Sequence, residues 1–244
     1  TAADRAVLLR ELVRDLAIRR GLRASFAPLQ EPNGTGTGVH VHISLVDDGG
    51  NPVLLDANRP GRLSEVGSRF SAGILRHAEA LTAWTAPSPI SFMRLAPDRW
   101  SAGGIFLAER NREALLRICP TSSAGGSAPE RQFNLEYRAA DATANPWLTL
   151  GVLLRAGMSG IVGGDEYPEP DVFPETAGPA ELNDVPRLPA TLQDALLALE
   201  KDQSVRSWFH PDLLATYLAV KRHELAHVAA LDDAARIKAV SDVY

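Results

Sequence analysis

The polar and apolar positions of this chain change period several times. Residues 3–20 place Leu8, Leu12, Val13 and Leu16 at helical intervals among charged neighbours, and Gly21 closes the run. That pattern predicts an amphipathic helix. "LRASFAPL" (22–29) reads as a short apolar strand, and the Gly/Thr loop 33–38 leads into a second strand, "VHVHISLV" (39–46). "DDGGNP" at 47–52 is a turn signal. Residues 64–84 predict one long helix capped by Ser64, with Phe70, Ile74, Leu75 and Leu81 near one stripe. Pro87 and Pro89 end it, and His77 within it reads as a packing or surface histidine.

Three short β-like runs follow, "SFMRL", "GIFLAE" and "ALLRIC". Loop 121–132 is small and polar, and "FNLEYRAA" (133–140) is a strand in strict alternation. A buried helix begins at Pro146. Residues 163–190 hold six prolines and little periodicity, which predicts an extended surface excursion without a second core. Helical segments at 191–201, 211–230 and 232–241 finish the chain. There is no internal repeat, and the irregular alternation of strands and helices predicts an α+β fold.

Composition narrows the function more than the fold. The chain has 244 residues, 45% of them hydrophobic and 23% charged, enough for a sizeable core. A net charge of −5 gives no reason to expect nucleic-acid or general membrane binding. No apolar run is read as a membrane span, and the charged N-terminus is no signal peptide. A single cysteine, Cys119, excludes an internal disulfide and suits a reducing, cytoplasmic setting. It sits in an apolar run as a small buried filler. The opening without an initiator Met, directly on a helix, reads as part of a longer chain.

Chemistry concentrates on two strands. A period of two puts His40, His42 and Ser44 on one face of 39–46, and Asn134, Glu136 and Arg138 on one face of 133–140. Such a face is either an ordinary wet sheet surface or a metal and anion surface. Arginines are the second clue. Arg94, Arg99, Arg110, Arg112 and Arg117 fall in a stretch without lysine, and arginine forks suit carboxylate and phosphate. The bland alternative pairs them with Glu109 and Glu113. "HELAH" (223–227) matches a zinc-protease pattern, but only Asp232, Asp233 and Asp242 follow as further acids, so it reads as a solvated helix face. The isolated H-x-H lacks the series of βα units that an amidohydrolase metal centre needs.

Three blocks in order resemble the catalytic domain of the glutamine synthetase family. They are "GTGTGVHVHISL", "SFMRLAPDRWSAGGIFLAERNREALLRICP" and "FNLEYRAADATANPWLTLGVLLRAG". The first is similar to the family's glycine-rich loop and H-x-H. The second is similar to its R-L-x-P … N-R-x-x-x-x-R block, and the third to its E-x-R … N-P-[YW]-L signature. The resemblance implies the glutamine synthetase and guanidino-kinase type of fold, a curved and mainly antiparallel sheet backed by helices. It implies ATP-dependent phosphorylation of the glutamate γ-carboxylate, then displacement of phosphate by ammonia or an amine.

On residues, the resemblance implies His40 and Glu136 as ligands of Mg²⁺, with Mn²⁺ as a substitute. It implies His42 and Ser44 as nucleotide contacts, and Arg112 and Arg117 as the arginines on the transferring phosphoryl group. Arg94 and Arg138 would bind glutamate carboxylates, and the Gly36 carbonyl the amino group. Thr35 replaces the usual Asn of the loop. Trp100 stands where glutamine synthetases carry a Glu that takes the ammonium proton, which implies an organic amine as acceptor. The alternatives are glutamine synthetase proper and a non-catalytic relative that kept the fold. The resemblance also implies a homo-oligomeric ring for the full-length protein. It further implies that residues 1–244 are a partial catalytic domain, lacking a β-grasp domain and acidic strands, and are inactive alone.

Overall fold

The computed structural model describes residues 1–95, 101–122, 126 and 128–244. Its sheet has five strands: β1 (Val41–Ile43), β2 (Gly104–Glu109), β3 (Ala114–Ile118), β4 (Leu135–Tyr137) and β5 (Val172–Phe173), in the order β1-β4-β3-β2-β5. The α+β class is as expected, and the sheet is mixed. β4 pairs antiparallel with β1 and β3, while β2 pairs parallel with β3 and β5.

The β2–β3 pairing is unusual, because only residues 110–113 connect the two parallel strands. Parallel neighbours normally need a crossover of about a dozen residues. Here four residues make the return, with a bend at Arg110 and a turn at 112–113. The chain leaves β2 at Arg110, which takes φ 64°.

The helices are α1 (Ala2–Ile18), α2 (Glu65–Arg76), α3 (Ala78–Thr85), α4 (Ser91–Arg94), α5 (Pro129–Gln132), α6 (Pro146–Gly163), α7 (Leu192–Lys201), α8 (Gln203–Ser207), α9 (Pro211–Val228) and α10 (Asp233–Ser241). Caps fix several of their starts. Ser64 accepts from Gly67 N at 3.1 Å, Asn145 from Trp147 N at 3.0 Å, and Asp232 from Ala235 N at 2.8 Å. The core joins the inner sheet face (Leu107, Leu116, Leu135, Tyr137) to α2, α3, α6 and α7 through Phe70, Trp84, Leu153 and Leu196. α2 and α6 cross at backbone distance. A Cβ on Gly73 would lie 2.0 Å from Ala156 O, and one on Gly160 2.0 Å from Arg69 O. Only glycine permits that approach.

Several expectations change. "SFMRL" forms α4, a helical turn; Ser91 Oγ accepts from Ser88 N and Ser88 Oγ from Ile90 N, which winds the chain around Pro89 into it. "LRASFAPL" joins no ladder; Ala27 and Leu29 pack instead with Ile90, Ile237 and Val240. The long helix 64–84 breaks at His77. That residue is 5% exposed and meets Asp202 at 2.6 Å and Tyr167 Oη at 3.2 Å. The stripe Leu8, Leu12, Val13 and Leu16 of α1 is exposed. The excursion 163–190 contributes β5 and sets Phe173, Leu182 and Val185 against Phe106. Residues 146–166 do reach the length and composition of a membrane span, with a mean hydropathy of 1.3, but α6 is packed against α2.

Candidate functional site

The strand register brings the polar face together. His42 stands opposite Glu136 across β1 and β4, and Arg117 stands opposite Glu136 across β3 and β4. Three ionisable side chains therefore lie abreast on three strands. His40 and Arg138 follow one step along, where Val39 N still bonds Ala140 O at 2.9 Å.

Glu136 is the centre of this face, and only 3% of it is exposed. Its Oε1 lies 2.7 Å from His40 Nδ1 and accepts from Arg138 Nη1 at 2.8 Å. Its Oε2 accepts from Arg117 Nη1 at 2.8 Å. Burial pushes this carboxyl up, but the hydrogen bonds from His40 and Arg117 and the charge of Arg138 outweigh it. The group is held well below the usual carboxylate range. Because Glu136 is an anion, His40 Nδ1 carries the proton between them. Its Nε2 lone pair is then available to a ligand, and among the described residues it has no hydrogen-bond partner.

His42 is half exposed, with Nδ1 2.8 Å from Asn134 Oδ1. Ser44 donates to Phe133 O at 3.3 Å and is exposed. Cys119 is buried as expected, yet it adjoins the site: Sγ lies 3.7 Å from His42 Nδ1 and 3.9 Å from Glu136 Oε2. Burial, then the Glu136 charge, pushes its thiol up, so it stays protonated near neutrality. Nothing in the apolar run around Cys119 signals this neighbourhood; only the register does.

Arg94 lies beneath the glycine loop. A Cβ on Gly36 would fall 2.3 Å from Arg94 Cγ, so that position must be glycine; one on Gly38 would fall 2.8 Å from Arg94 Nη1 and displace the guanidinium tip. Arg94 is 4% exposed and donates to Ala140 O at 3.1 Å and Ala139 O at 3.3 Å. Its Nε is buried without a partner among the described residues. Burial, opposed by Asp141, lowers its pKa from the ordinary value. Among the described residues this buried guanidinium meets carbonyls and no carboxylate, an arrangement that favours an incoming anion.

Arg112 is exposed, and its carbonyl accepts from Arg138 Nε at 2.9 Å. Arg117 sends its Nε to Arg110 O at 2.9 Å. Trp100, expected to wall the acceptor pocket, lies outside the described residues, as does Arg99. His223 and His227 are exposed on α9, and Glu224 is paired with Lys221 at 2.8 Å.

As a metal site the face is partial. His40 and Glu136 offer one imidazole and one carboxylate, donor types that suit Mg²⁺ or Mn²⁺, but Glu136 here meets His40 Nδ1, on the side of the ring away from Nε2, so the two do not converge on one point as arranged. Among the described residues no group of three or more His, Cys, Asp or Glu is placed to hold an ion. An apolar cavity of about 410 Å³ borders His40 and His42, between α1, β1 and the start of α6.

The family model of the glutamine synthetase catalytic domain matches residues 1–238. Gamma-glutamylpolyamine synthetase GlnA3 of Streptomyces coelicolor is 40% identical over 241 residues, covering 95% of this chain and 50% of that protein. The glutamine synthetase of Frankia alni is 35% identical over 226 residues, covering 90% of this chain and 46% of its own. A solved structure described as a novel glutamine synthase homolog superposes with a TM-score of 0.88 at 43% identity, covering 100% of this chain and 54% of that one. Apo GmaS without ligand gives 0.77 at 30% identity, covering 95% and 51%. The chain spans about half the length of the curated relatives it matches.

Proposed function

Since the chain belongs to the glutamine synthetase family, we propose that the intact protein is an ATP-dependent ligase joining the γ-carboxylate of glutamate to an organic amine. The intermediate would be γ-glutamyl phosphate. The observation that carries this reading is Glu136, bound at both oxygens by arginines and facing His40 on an open polar face. An amine acceptor is preferred to ammonia on two grounds. Trp100 stands where an ammonium-using enzyme needs a proton acceptor, and an indole is none. The relative at 40% identity is named for polyamine.

In this reading the residues divide the work. Arg94, with its buried unpartnered Nε, takes a glutamate carboxylate; Arg138 is proposed for the same substrate from beside His40. The Gly36 carbonyl takes the amino group, and Gly36 packs directly on Arg94. His42 and Ser44, on the exposed end of the face, meet the nucleotide. Arg112 has no side-chain partner among the described residues and meets the phosphoryl oxygens with Arg117, offsetting the charge that builds up there. His40 and Glu136 would hold part of a divalent ion's coordination once the bond between His40 Nδ1 and Glu136 opens to turn both donors toward one point, and the ion, when bound, would neutralise phosphate charge. The remaining ligands would come from the rest of the full-length protein. A cytoplasmic, homo-oligomeric enzyme is part of the same proposal.

The test is phosphate release by the full-length protein with ATP, glutamate and a panel of polyamines and monoamines against ammonium chloride. An organic amine should give the highest kcat/KM, and Trp100→Glu should shift preference toward ammonium. Ammonium as the best wild-type acceptor would return the protein to glutamine synthetase proper. No turnover with any acceptor would favour the non-catalytic relative.

A further inference from the structure

The link 110–113 lies over the polar face of the sheet, and its carbonyls are put to use. Arg110 O accepts from Arg117 Nε and Arg112 O from Arg138 Nε, each at 2.9 Å. Those two arginines then take one oxygen each of Glu136, both at 2.8 Å. A guanidinium bonded through Nε to a fixed carbonyl cannot turn its plane, so its remaining donors are aimed. Between the two carbonyls stands Asn111, 7% exposed.

Asn111 uses its backbone N–H and both polar atoms of its side chain. Its N–H bonds Glu109 O at 2.8 Å, and its Oδ1 accepts from Glu113 N at 2.9 Å. Its Nδ2 is shared between Ala177 O at 3.3 Å and Glu175 O at 3.5 Å. The first two bonds shape the link from within. The third ties it to the proline-rich excursion, which is itself anchored by Phe173, Leu182 and Val185 on Phe106. The ends of the link are held separately, by Arg110 N on Ile118 O at 3.1 Å and by Gly103 N on Glu113 O at 2.8 Å, and the exposed Arg110 side chain also meets Glu175 at 3.4 Å; Asn111 is the buried tie at its middle.

We propose that Asn111 is a positioning residue for the Arg117–Glu136–Arg138 group. By fixing the link to residues 175–177 it holds the Arg110 and Arg112 carbonyls, through them the two guanidiniums, and through those both oxygens of Glu136. Its consequence for turnover rests on the ligase reading above; its consequence for the arginines does not.

The test uses protein labelled with ¹⁵N-arginine, with hydrogen exchange followed at the Nε–H groups and the two signals assigned by Arg117→Lys and Arg138→Lys. In the wild type both signals are protected. Asn111→Ala should lower protection at both by at least about 10-fold, and turnover of the full-length enzyme by about 10- to 100-fold, chiefly in kcat. Asn111→Asp keeps the acceptor for Glu113 N but has no donor for the tether, and should lose protection likewise. Arg110→Gly removes the side chain with its 3.4 Å ion pair to Glu175 and relaxes φ 64°, while keeping the carbonyl and the Asn111 bonds, and should retain protection. Unchanged protection in Asn111→Ala overturns the proposal, and so does lost protection with kcat intact. A wild type without turnover would remove the ligase reading, and the exchange data alone would then decide the tether.

Discussion

His40 meets Glu136 at 2.7 Å and His77 meets Asp202 at 2.6 Å, two imidazole–carboxylate pairs of nearly equal length in one molecule. Their surroundings give them different uses. His77 joins three helix breaks: it separates α2 from α3, Asp202 caps α8, and Tyr167 follows α6. Both its nitrogens are occupied, and Trp208 closes edge-on at 5.5 Å. It is a satisfied structural group with nothing left to offer a ligand. His40 keeps a third of its side chain exposed and, among the described residues, one nitrogen unused, while its carboxylate is shared with two arginines. The distance within the pair does not separate structure from chemistry. The second nitrogen and the positive charge around the carboxylate do.

The sharpest way to break this contrast is to damage each pair in turn. Glu136→Gln or His40→Ala in the full-length protein should reduce ATP-dependent turnover by about 100-fold or more, because each removes a proposed metal ligand and Glu136 also orders two arginines. His77→Ala should leave the turnover per folded molecule within about 2-fold. Phosphate release, normalised to the folded fraction by circular dichroism, measures both. Comparable losses in His77→Ala and His40→Ala would mean that the two pairs are not divided as described.

The sequence carried this contrast unevenly. Alternation alone put His40, His42, Glu136 and Arg138 on one face, because a strand has a period of two whatever its partners. The antiparallel register of β1, β4 and β3 then made them neighbours. The fold class and the helices from Pro146 and Thr191 were equally legible from caps and periodicity. The parallel return from β2 to β3 was not. Nothing in "ERNREA" distinguishes a hairpin from a parallel return, since the link is held by groups outside it: Arg117 on the next strand, Arg138, and the carbonyls of residues 175 and 177. The break at His77 was hidden for the same reason. Its partners Tyr167 and Asp202 are 90 and 125 residues away, and helical periodicity sees only one turn at a time.

A second and smaller effect separates the pairs by stability. His77→Ala leaves Asp202 without its partner and opens space between α3 and α7, which should cost about 2 kcal/mol. At fixed pH a drop of this size is read as an earlier denaturant midpoint with an unchanged slope. His40→Ala should cost less, about 1 kcal/mol or below, because its imidazole is partly solvated and Arg117 and Arg138 still neutralise Glu136. An equal or larger loss at His40 would make that pair structural too.

The smallest effect is an acid limb belonging to Glu136. Its carboxyl is held below the ordinary value of 4.5 by His40, Arg117 and Arg138, against the opposing push of burial. A depressed carboxyl stabilises the fold fully above its unfolded value and loses that contribution as pH falls through the folded one. The gain is therefore complete near neutrality, begins to shrink below about pH 4.5 and is gone in stronger acid. Glu136→Gln has no such proton to take up. The stability gap between wild type and Glu136→Gln, measured by urea unfolding from pH 7 downward, should stay level to about pH 5 and then narrow. The two arginines make this limb specific to the open pair. Removing one of them through Arg117→Gln should leave the onset in place but make the narrowing smaller and complete at a higher pH, since a weaker field raises only the folded value. A gap that stays constant to the lowest pH at which the fold survives would mean that Glu136 is not the charge these arginines hold. The contrast between the two pairs would then rest on exposure alone.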